Sequence, residues 1–395
     1  MSRFSARQLP LLAIAIVLLG VGALLVFRKP PPAPVIPTPV PPPASLSILA
    51  EPPNWPALDA YQNTITRGEF ERLLTSVFTT GEAWKNFIQI GESEALIKTG
   101  DPAPNDIFHL RFSSHESLKS APRLWKTAAE LPVTTPEKPL AGLKIAIDPG
   151  HIGGAWAKME ERWFVVGDGT PVCEGDMTLH VANLLKPRLE ALGATVSLVR
   201  DKAEPVTAVR PASADKLAER LFYRSAEIHA RAEIVNQTLK PDLVLCLHFN
   251  AEAWGDPNSP TLIDRTHLHF LVNGAYNDDE VILADQRFAL LQKLLQRTQQ
   301  EEILVGASVA SSFAETSGLP PYQYPPESTN VRQIPDQPYL WARNLLANRL
   351  YDCPVIFMEP YVMNSTVDYP RFQAGDYEGL REISGKMQPS IFREY

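Results

Sequence analysis

Three short apolar runs constrain this chain more than any other feature, because each has strand length and each stops at a residue able to hold a metal or a proton. They are Leu143 to His151 (LKIAIDPGH), Leu243 to Ala251 (LVLCLHFNA) and Val355 to Glu359 (VIFME). Near-continuous aliphatic runs read as strands buried on both faces of a parallel sheet. In open α/β sheets the ligand crevice lies beyond the carboxyl ends of such strands. His151, His248 and Glu359 are therefore expected on one rim, although far apart in sequence.

Amphipathic helices separate the runs. Val181, Leu184, Leu185, Leu189 and Leu192 mark one, with Asp176 or Thr178 as its cap, Pro187 as an internal kink and Gly193 as its stop. A second carries Leu217, Leu221, Ile228, Val235 and Leu239 behind a Ser213 cap. Strands are also expected over 196–199 and 267–272, a helix over 281–300, an irregular Pro-rich stretch over 317–338 and a last helix over 339–350. The alternation predicts an α/β fold over 141–380: a largely parallel sheet with helices on both faces.

Four pieces precede that unit. In residues 1–29, Leu9 to Phe27 is 19 residues without a charge, with Arg3 and Arg7 before it and Arg28 and Lys29 after. At 1.5 Å per residue this is about 28 Å of helix, near the bilayer hydrocarbon thickness. It reads as a transmembrane signal anchor or, if cut, as a signal peptide. Residues 30–50 are a Pro-rich linker, with nine prolines in the 14 residues from Pro30 to Pro43. That composition favours polyproline II, a stalk on the order of 40 Å long. Residues 51–116 read as a small α+β domain of unknown role. There Thr66-Arg67-Gly68-Glu69 fits a capping box, and Phe70, Leu73, Leu74, Val77 and Phe78 form one helix face. Strands follow at Phe87 to Ile90 and Phe108 to Phe112. Residues 117–140 are a polar linker. This order is expected to tether the last unit to the cytoplasmic membrane, which is then a partner; basic residues on both sides of the span leave its orientation open, and a substrate outside the membrane would put the unit in the periplasm.

Composition removes several classes. A net charge of −8 and a pI near 5.6 exclude a sequence-independent nucleic-acid binder. Cys173, Cys246 and Cys353 allow at most one internal disulfide, and Cys246 within its apolar run reads as a small buried hydrophobe. There is no G-x-S-x-G, and Gly153-Gly154 lacks the spacing of a phosphate loop.

Two histidines and carboxylates at strand ends suit a zinc hydrolase, in which three protein ligands leave a position for water. His151 and His248 supply two ligands. Glu174, Glu160 and Glu161 compete as the third. Glu174 is preferred because a helix start holds a side chain firmly and favours its ionised form. Glu359 is the free acid for proton transfer. His267 and His269, two apart, share a strand face and either bind metal or line the sheet. Asp148 reads as a carboxylate that could orient His151, and Asn250 as a residue that could position substrate.

These residues carry a resemblance. KIAIDPGHIGG (Lys144 to Gly154) resembles the DPGHGG signature of the zinc-dependent N-acetylmuramoyl-L-alanine amidases. Glu174 ahead of a helix resembles that family's second ligand, LCLHFNAE (Leu245 to Glu252) its S-x-HANA segment, and VIFMEP (Val355 to Pro360) its V-L-V-E segment. Asn364 resembles a trailing Asn, and Val199-Arg200-Asp201 is similar to the T-R that ends a family strand. The resemblance covers about 141–375. It implies that His151, Glu174 and His248 bind one Zn²⁺, that Glu359 is general base and then acid, and that the substrate is the muramoyl–L-alanine amide of peptidoglycan. It leaves open whether a protein activator is needed. Departures from the pattern are Ile152, the 23-residue step from His151 to Glu174, Gly175, Phe249, and Pro360 with Tyr361. Two rival readings are a catalytically silent wall-binding scaffold on the same fold and a zinc hydrolase of other specificity, a peptidase or a deacetylase.

Overall fold

The computed structural model describes residues 46–100 and 106–395. The expected anchor and the first part of the Pro-rich stalk lie outside the described residues. Among those described, no helix is long and apolar enough to cross a membrane.

Strands β1 (Ile88–Ile90), β2 (Glu94–Lys98) and β3 (Ile107–Arg111) form an antiparallel sheet in sequence order. β3 alternates exposed and buried residues along its length, as its sequence requires. The preceding helix, Arg67–Leu73, starts where Thr66 accepts the Glu69 backbone N–H at 3.2 Å. Phe70, Leu73, Leu74, Val77 and Phe78 are all buried. Their core is completed by Leu290, Leu291, Leu294 and Leu295 from helix Ala284–Gln296, so this small sheet shares an apolar core with the larger unit.

The main sheet comprises β4 (Lys144–Pro149), β7 (Thr195–Leu198), β8 (Leu243–Leu247), β9 (Leu268–Val272), β10 (Val331–Gln333), β11 (Leu340–Arg343) and β12 (Val355–Pro360), in spatial order β10-β11-β9-β12-β8-β4-β7. A two-residue hairpin, β5 (Trp163–Phe164) with β6 (Val172–Cys173), lies outside it. β12, β8, β4 and β7 are mutually parallel. β9 is antiparallel to β12 and parallel to β11, and β10 is antiparallel to β11. The sheet is thus mostly parallel, with β9 and β11 reversed. All five residues of β9 are buried, and a strand buried on both faces has no alternation from which to read its direction. Side chains alternate between two apolar layers: Ile145, Ile147, Leu243, Leu245 and Leu247 face one, while Ala146, Val244 and Cys246 face the other. The three cysteines are free, and Cys246 is fully buried.

Several local expectations change. The helix foreseen over 281–300 is two helices, Ala284–Gln296 and Thr298–Ser317, divided at Arg297, whose φ is 59°. Arg297 is fixed there by distant partners, Glu69 at 2.9 Å and the Thr64 carbonyl at 2.5 Å, which local periodicity cannot encode. The stretch 339–350 opens as β11 rather than helix, because it pairs with β9; only Leu346–Leu350 is helical. Part of the supposedly irregular 317–338 forms β10. Asp215, not Ser213, caps the second helical stretch, accepting from Leu217 N (3.0 Å) and Ala218 N (2.9 Å). Leu217 is left exposed. Helix Glu174–Ala191 has no side-chain cap, since Asp176 and Thr178 are committed elsewhere: Asp176 accepts from Gly154 N at 2.8 Å, and Thr178 donates to the Gly150 carbonyl at 2.7 Å.

Two buried ties brace the strands. Glu302 accepts the backbone N–H of Asn273 (3.0 Å) at the end of β9 and of Val355 (3.1 Å) at the start of β12. Its burial pushes the carboxyl up to about 7. Asp148 at the end of β4 bonds Arg231 (2.8 Å) and the Tyr351 hydroxyl (2.5 Å).

Candidate active site

His151 follows β4, His248 follows β8 and Glu359 is the penultimate residue of β12, so three adjacent parallel strands bring them to one rim. Glu174 reaches the same point from the first residue of helix Glu174–Ala191. One ligand atom from each of His151, Glu174 and His248 lies within 4.8 Å of the other two. His151 Nε2 is 3.1 Å from Glu174 Oε2, and His248 Nδ1 is 3.2 Å from Oε1. Two metal–donor bonds of about 2.1 Å span at most about 4.2 Å, so small side-chain shifts would close these donors on one ion. The two-imidazole, one-carboxylate set therefore fits zinc.

A cavity of about 730 Å³ opens over this cluster, lined by the three residues together with Glu359, Arg162, Trp163 and Trp254. The glycines beside the cluster have no room for side chains. A Cβ on Gly150 would lie 2.3 Å from His248 Cε1, and one on Gly175 would lie 2.3 Å from Gly153 N. The latter explains the missing side chain at 175. His151 has a φ of 60°, a left-handed conformation that costs on the order of 1 kcal/mol or more in a non-glycine residue. Arg231 holds it there, donating to the His151 carbonyl at 2.7 Å and to that of Pro149 at 2.8 Å.

The electrostatics follow from burial and proximity. Burial alone would lower the His151 imidazole, but the Glu174 and Glu160 carboxylates beside it prevail and raise it to about 9. Burial opposes ionisation of Glu174, yet the two imidazoles hold it well below the usual carboxylate range. Burial lowers His248, which stacks on Phe357 at 4.2 Å. Glu359 is pushed up to about 8, first by burial and then by the charge of Glu174. Among the described residues, no donor bonds to the Glu359 carboxylate.

The other acids take separate positions. Glu160 is buried, accepts the N–H groups of Ile152 (2.9 Å) and Gly153 (2.8 Å), and lies 3.5 Å from His151 Nδ1. It stands behind His151, where Asp148 was expected. Asp148 acts at one remove, through Arg231. Glu161 faces away from the cluster toward Tyr223 (3.1 Å), Arg224 (3.3 Å) and Arg220 (3.4 Å). His269 sits opposite Glu359 in the strand register, with its ring nitrogens 3.2 Å from the Tyr324 hydroxyl and 3.4 Å from Asn250 Nδ2. His267 is buried against Tyr322, and neither histidine joins the ligand group. Asn364 accepts Glu252 N at 3.0 Å and bonds the Thr261 carbonyl, which fixes one wall of the cavity.

Arg231 and Tyr395 went unnoticed in the sequence. Arg231 left a signal: with Glu227 it makes an i,i+4 charged pair on a helical face that also carries Ile228 and Val235. Tyr395 left none. Its hydroxyl reaches His248 N at 3.2 Å, and its ring packs edge-on to Phe249, which accounts for the bulky residue there.

No curated relative matches the sequence. Among solved structures, the chain is similar to the N-acetylmuramyl-L-alanine amidase Ami1 of Mycobacterium smegmatis, at 18% identity over 60% of this chain and 89% of that one, with a TM-score of 0.37. The corresponding amidase of Mycobacterium abscessus gives 18% identity, 60% and 91% coverage and a TM-score of 0.36. An N-acetylmuramoyl-L-alanine amidase of Clostridium difficile gives 16%, 58%, 84% and 0.33. A family model described as N-acetylmuramoyl-L-alanine amidase matches residues 145–377, more than half of the chain, and this span holds all four rim residues. By that match, the chain belongs to the N-acetylmuramoyl-L-alanine amidase family.

Proposed function

We propose that this protein hydrolyses the amide between N-acetylmuramic acid and L-alanine in peptidoglycan, with His151, Glu174 and His248 holding a zinc ion and Glu359 moving the proton. The observation that carries the reading is the meeting of two imidazoles and one carboxylate within 4.8 Å, in the same cavity as Glu359, whose carboxylate accepts no hydrogen bond among the described residues. When bound, the zinc would polarise the scissile carbonyl and acidify a water. The residues of the chain do the rest. Glu359 takes a proton from the attacking water and hands it to the leaving amide nitrogen. Burial and the charge of Glu174 raise its proton affinity above that of an ordinary carboxylate, which suits a group that must both accept and release a proton. Glu160 fixes the ring of His151 from behind, and Phe249 N–H holds Glu174 Oε1 at 3.1 Å. Trp163 and Trp254 give the cavity flat apolar surface for a glycan.

The uncharged N-terminal stretch and the proline-rich stalk support placement on the outer side of the cytoplasmic membrane, anchored or released. The decisive experiment digests purified sacculi with the zinc-loaded protein and weighs the products. A new lactyl carboxylate on the glycan, with free stem peptide, supports the amidase. Released acetate would point to a deacetylase, and no product with zinc bound to a scaffold.

A further inference from the structure

The 23-residue excursion from His151 to Glu174 carries cations into the cavity that the hydrolytic steps do not use. Arg162 bonds Glu174 through Nε (3.3 Å) and the Glu161 carbonyl through Nη1 (2.9 Å). Its own carbonyl accepts the Glu174 N–H at 3.3 Å. Glu161, next to it, has a left-handed φ of 58° and is held by Arg220, Tyr223 and Arg224, so the loop is pinned with Arg162 over the cluster. One turn earlier Lys158 lies over the Trp163 ring at 4.1 Å, and among the described residues no carboxylate pairs with it.

Of the other acids lining the cavity, Glu161 is paired with those two arginines and Glu252 with Arg265 at 3.2 Å, while Glu359, which the Arg162 charge also reaches, is the proton-transfer acid. Arg162 and Lys158 both line the cavity, and among the described residues no hydrogen bond is made by Arg162 Nη2 or by the Lys158 ammonium. Cations arranged beside a reaction centre favour an anionic ligand, and a guanidinium matches a carboxylate in shape.

We propose that Arg162 and Lys158 form a carboxylate-reading wall, which selects peptide stems bearing a free α-carboxylate on the residue after the alanine. This rests on the amidase reading for the position of the peptide. That carboxylate lies about one Cα step, ~3.8 Å, beyond the alanine, within reach of groups bordering the scissile amide.

The test uses the zinc-loaded protein and two soluble stem peptides, alanine-first, differing only in an α-carboxylate or an α-carboxamide on the second residue. Calorimetry measures their binding, and muramoyl versions of both measure KM and kcat. The acid form is expected to bind about tenfold or more tightly, with the difference in KM rather than kcat. Arg162→Gln should bring the acid-to-amide ratio close to one, and Arg162→Lys should restore part of it. Because Arg162 also touches Glu174, Lys158→Gln serves as the second variant: it should narrow the ratio severalfold with zinc content unchanged. An acid-to-amide ratio near one in the unaltered protein, or a full ratio surviving in both glutamine variants, overturns the proposal. Acid-selective binding without cleavage of any wall would sink the amidase reading and leave only a carboxylate preference, with its place beside a scissile amide withdrawn.

Discussion

The rim of the central strands and the 151–174 excursion supply the same site by opposite means. His151, His248 and Glu359 are delivered by β4, β8 and β12, whose apolar faces fill two buried layers. Their positions follow from the packing of the sheet. Glu160, Glu161, Arg162 and Glu174 belong to a segment whose regular structure is one 3-10 turn (Gly154–Trp156) and a pair of two-residue strands before the helix that Glu174 opens. Their positions follow from ion pairs and hydrogen bonds to distant groups. A scaffold held by burial can place a proton donor with little local help, whereas a polar loop has to be tied residue by residue. The rim should therefore be thermodynamically stiff and chemically sensitive, and the excursion thermodynamically cheap to loosen.

The largest expected effect breaks the rim. Glu359→Gln should lower kcat on peptidoglycan by roughly 10²–10⁴-fold while zinc content, measured by atomic absorption, stays the same. Full activity in that variant would remove Glu359 from the reaction.

A pH scan sharpens the contrast on the scaffold side. Glu302 has a folded pKa near 7, raised above the ordinary 4.5, so the folded state binds more protons than the unfolded one between those values. Its contribution is complete below about pH 4.5 and is lost as pH rises through 7, on the order of 3 kcal/mol. Glu302→Gln should be less stable at pH 5, since an amide cannot accept both backbone N–H groups, and its denaturation midpoints should lose that part of the slope.

On the loop side, Glu160→Gln should cost about 10–100-fold in zinc affinity by releasing the ring of His151 and two backbone donors, with a smaller change in melting temperature. Glu161→Ala should do least. Its arginine partners are solvent-facing, so we expect no more than about 1 kcal/mol in stability, with KM rising as the loop that carries Arg162 loses its ties. A larger loss of stability from Glu161→Ala than from Glu302→Gln would reverse the comparison.

The two regions also differed in how much the sequence revealed. The residues ending LKIAIDPGH, LVLCLH and VIFME could be placed because hydrophobic runs and strand ends are local signals. Glu174 was preferred for its helix start, and the structure sets it between the two imidazoles. Glu160 could not be separated from Glu161 beforehand, because adjacent residues in a loop differ only in which way the backbone turns, and Glu161 turns at a positive φ. The break at Arg297 and the strand at 340–343 were invisible for a similar reason. Each is decided by a partner far along the chain, Glu69 in one case and β9 in the other.

The reversed direction of β9 has one more consequence. β8 ends at the rim, and β9 begins there, opposite the end of β12. The twenty residues between them start and finish on the same edge of the molecule and need no return helix. Lengthening or replacing such a span adds little closure entropy, since that term grows only logarithmically with length. Evolution can thus remodel the stretch bearing Trp254 and Glu252 to suit a different wall polymer while every strand keeps its neighbours.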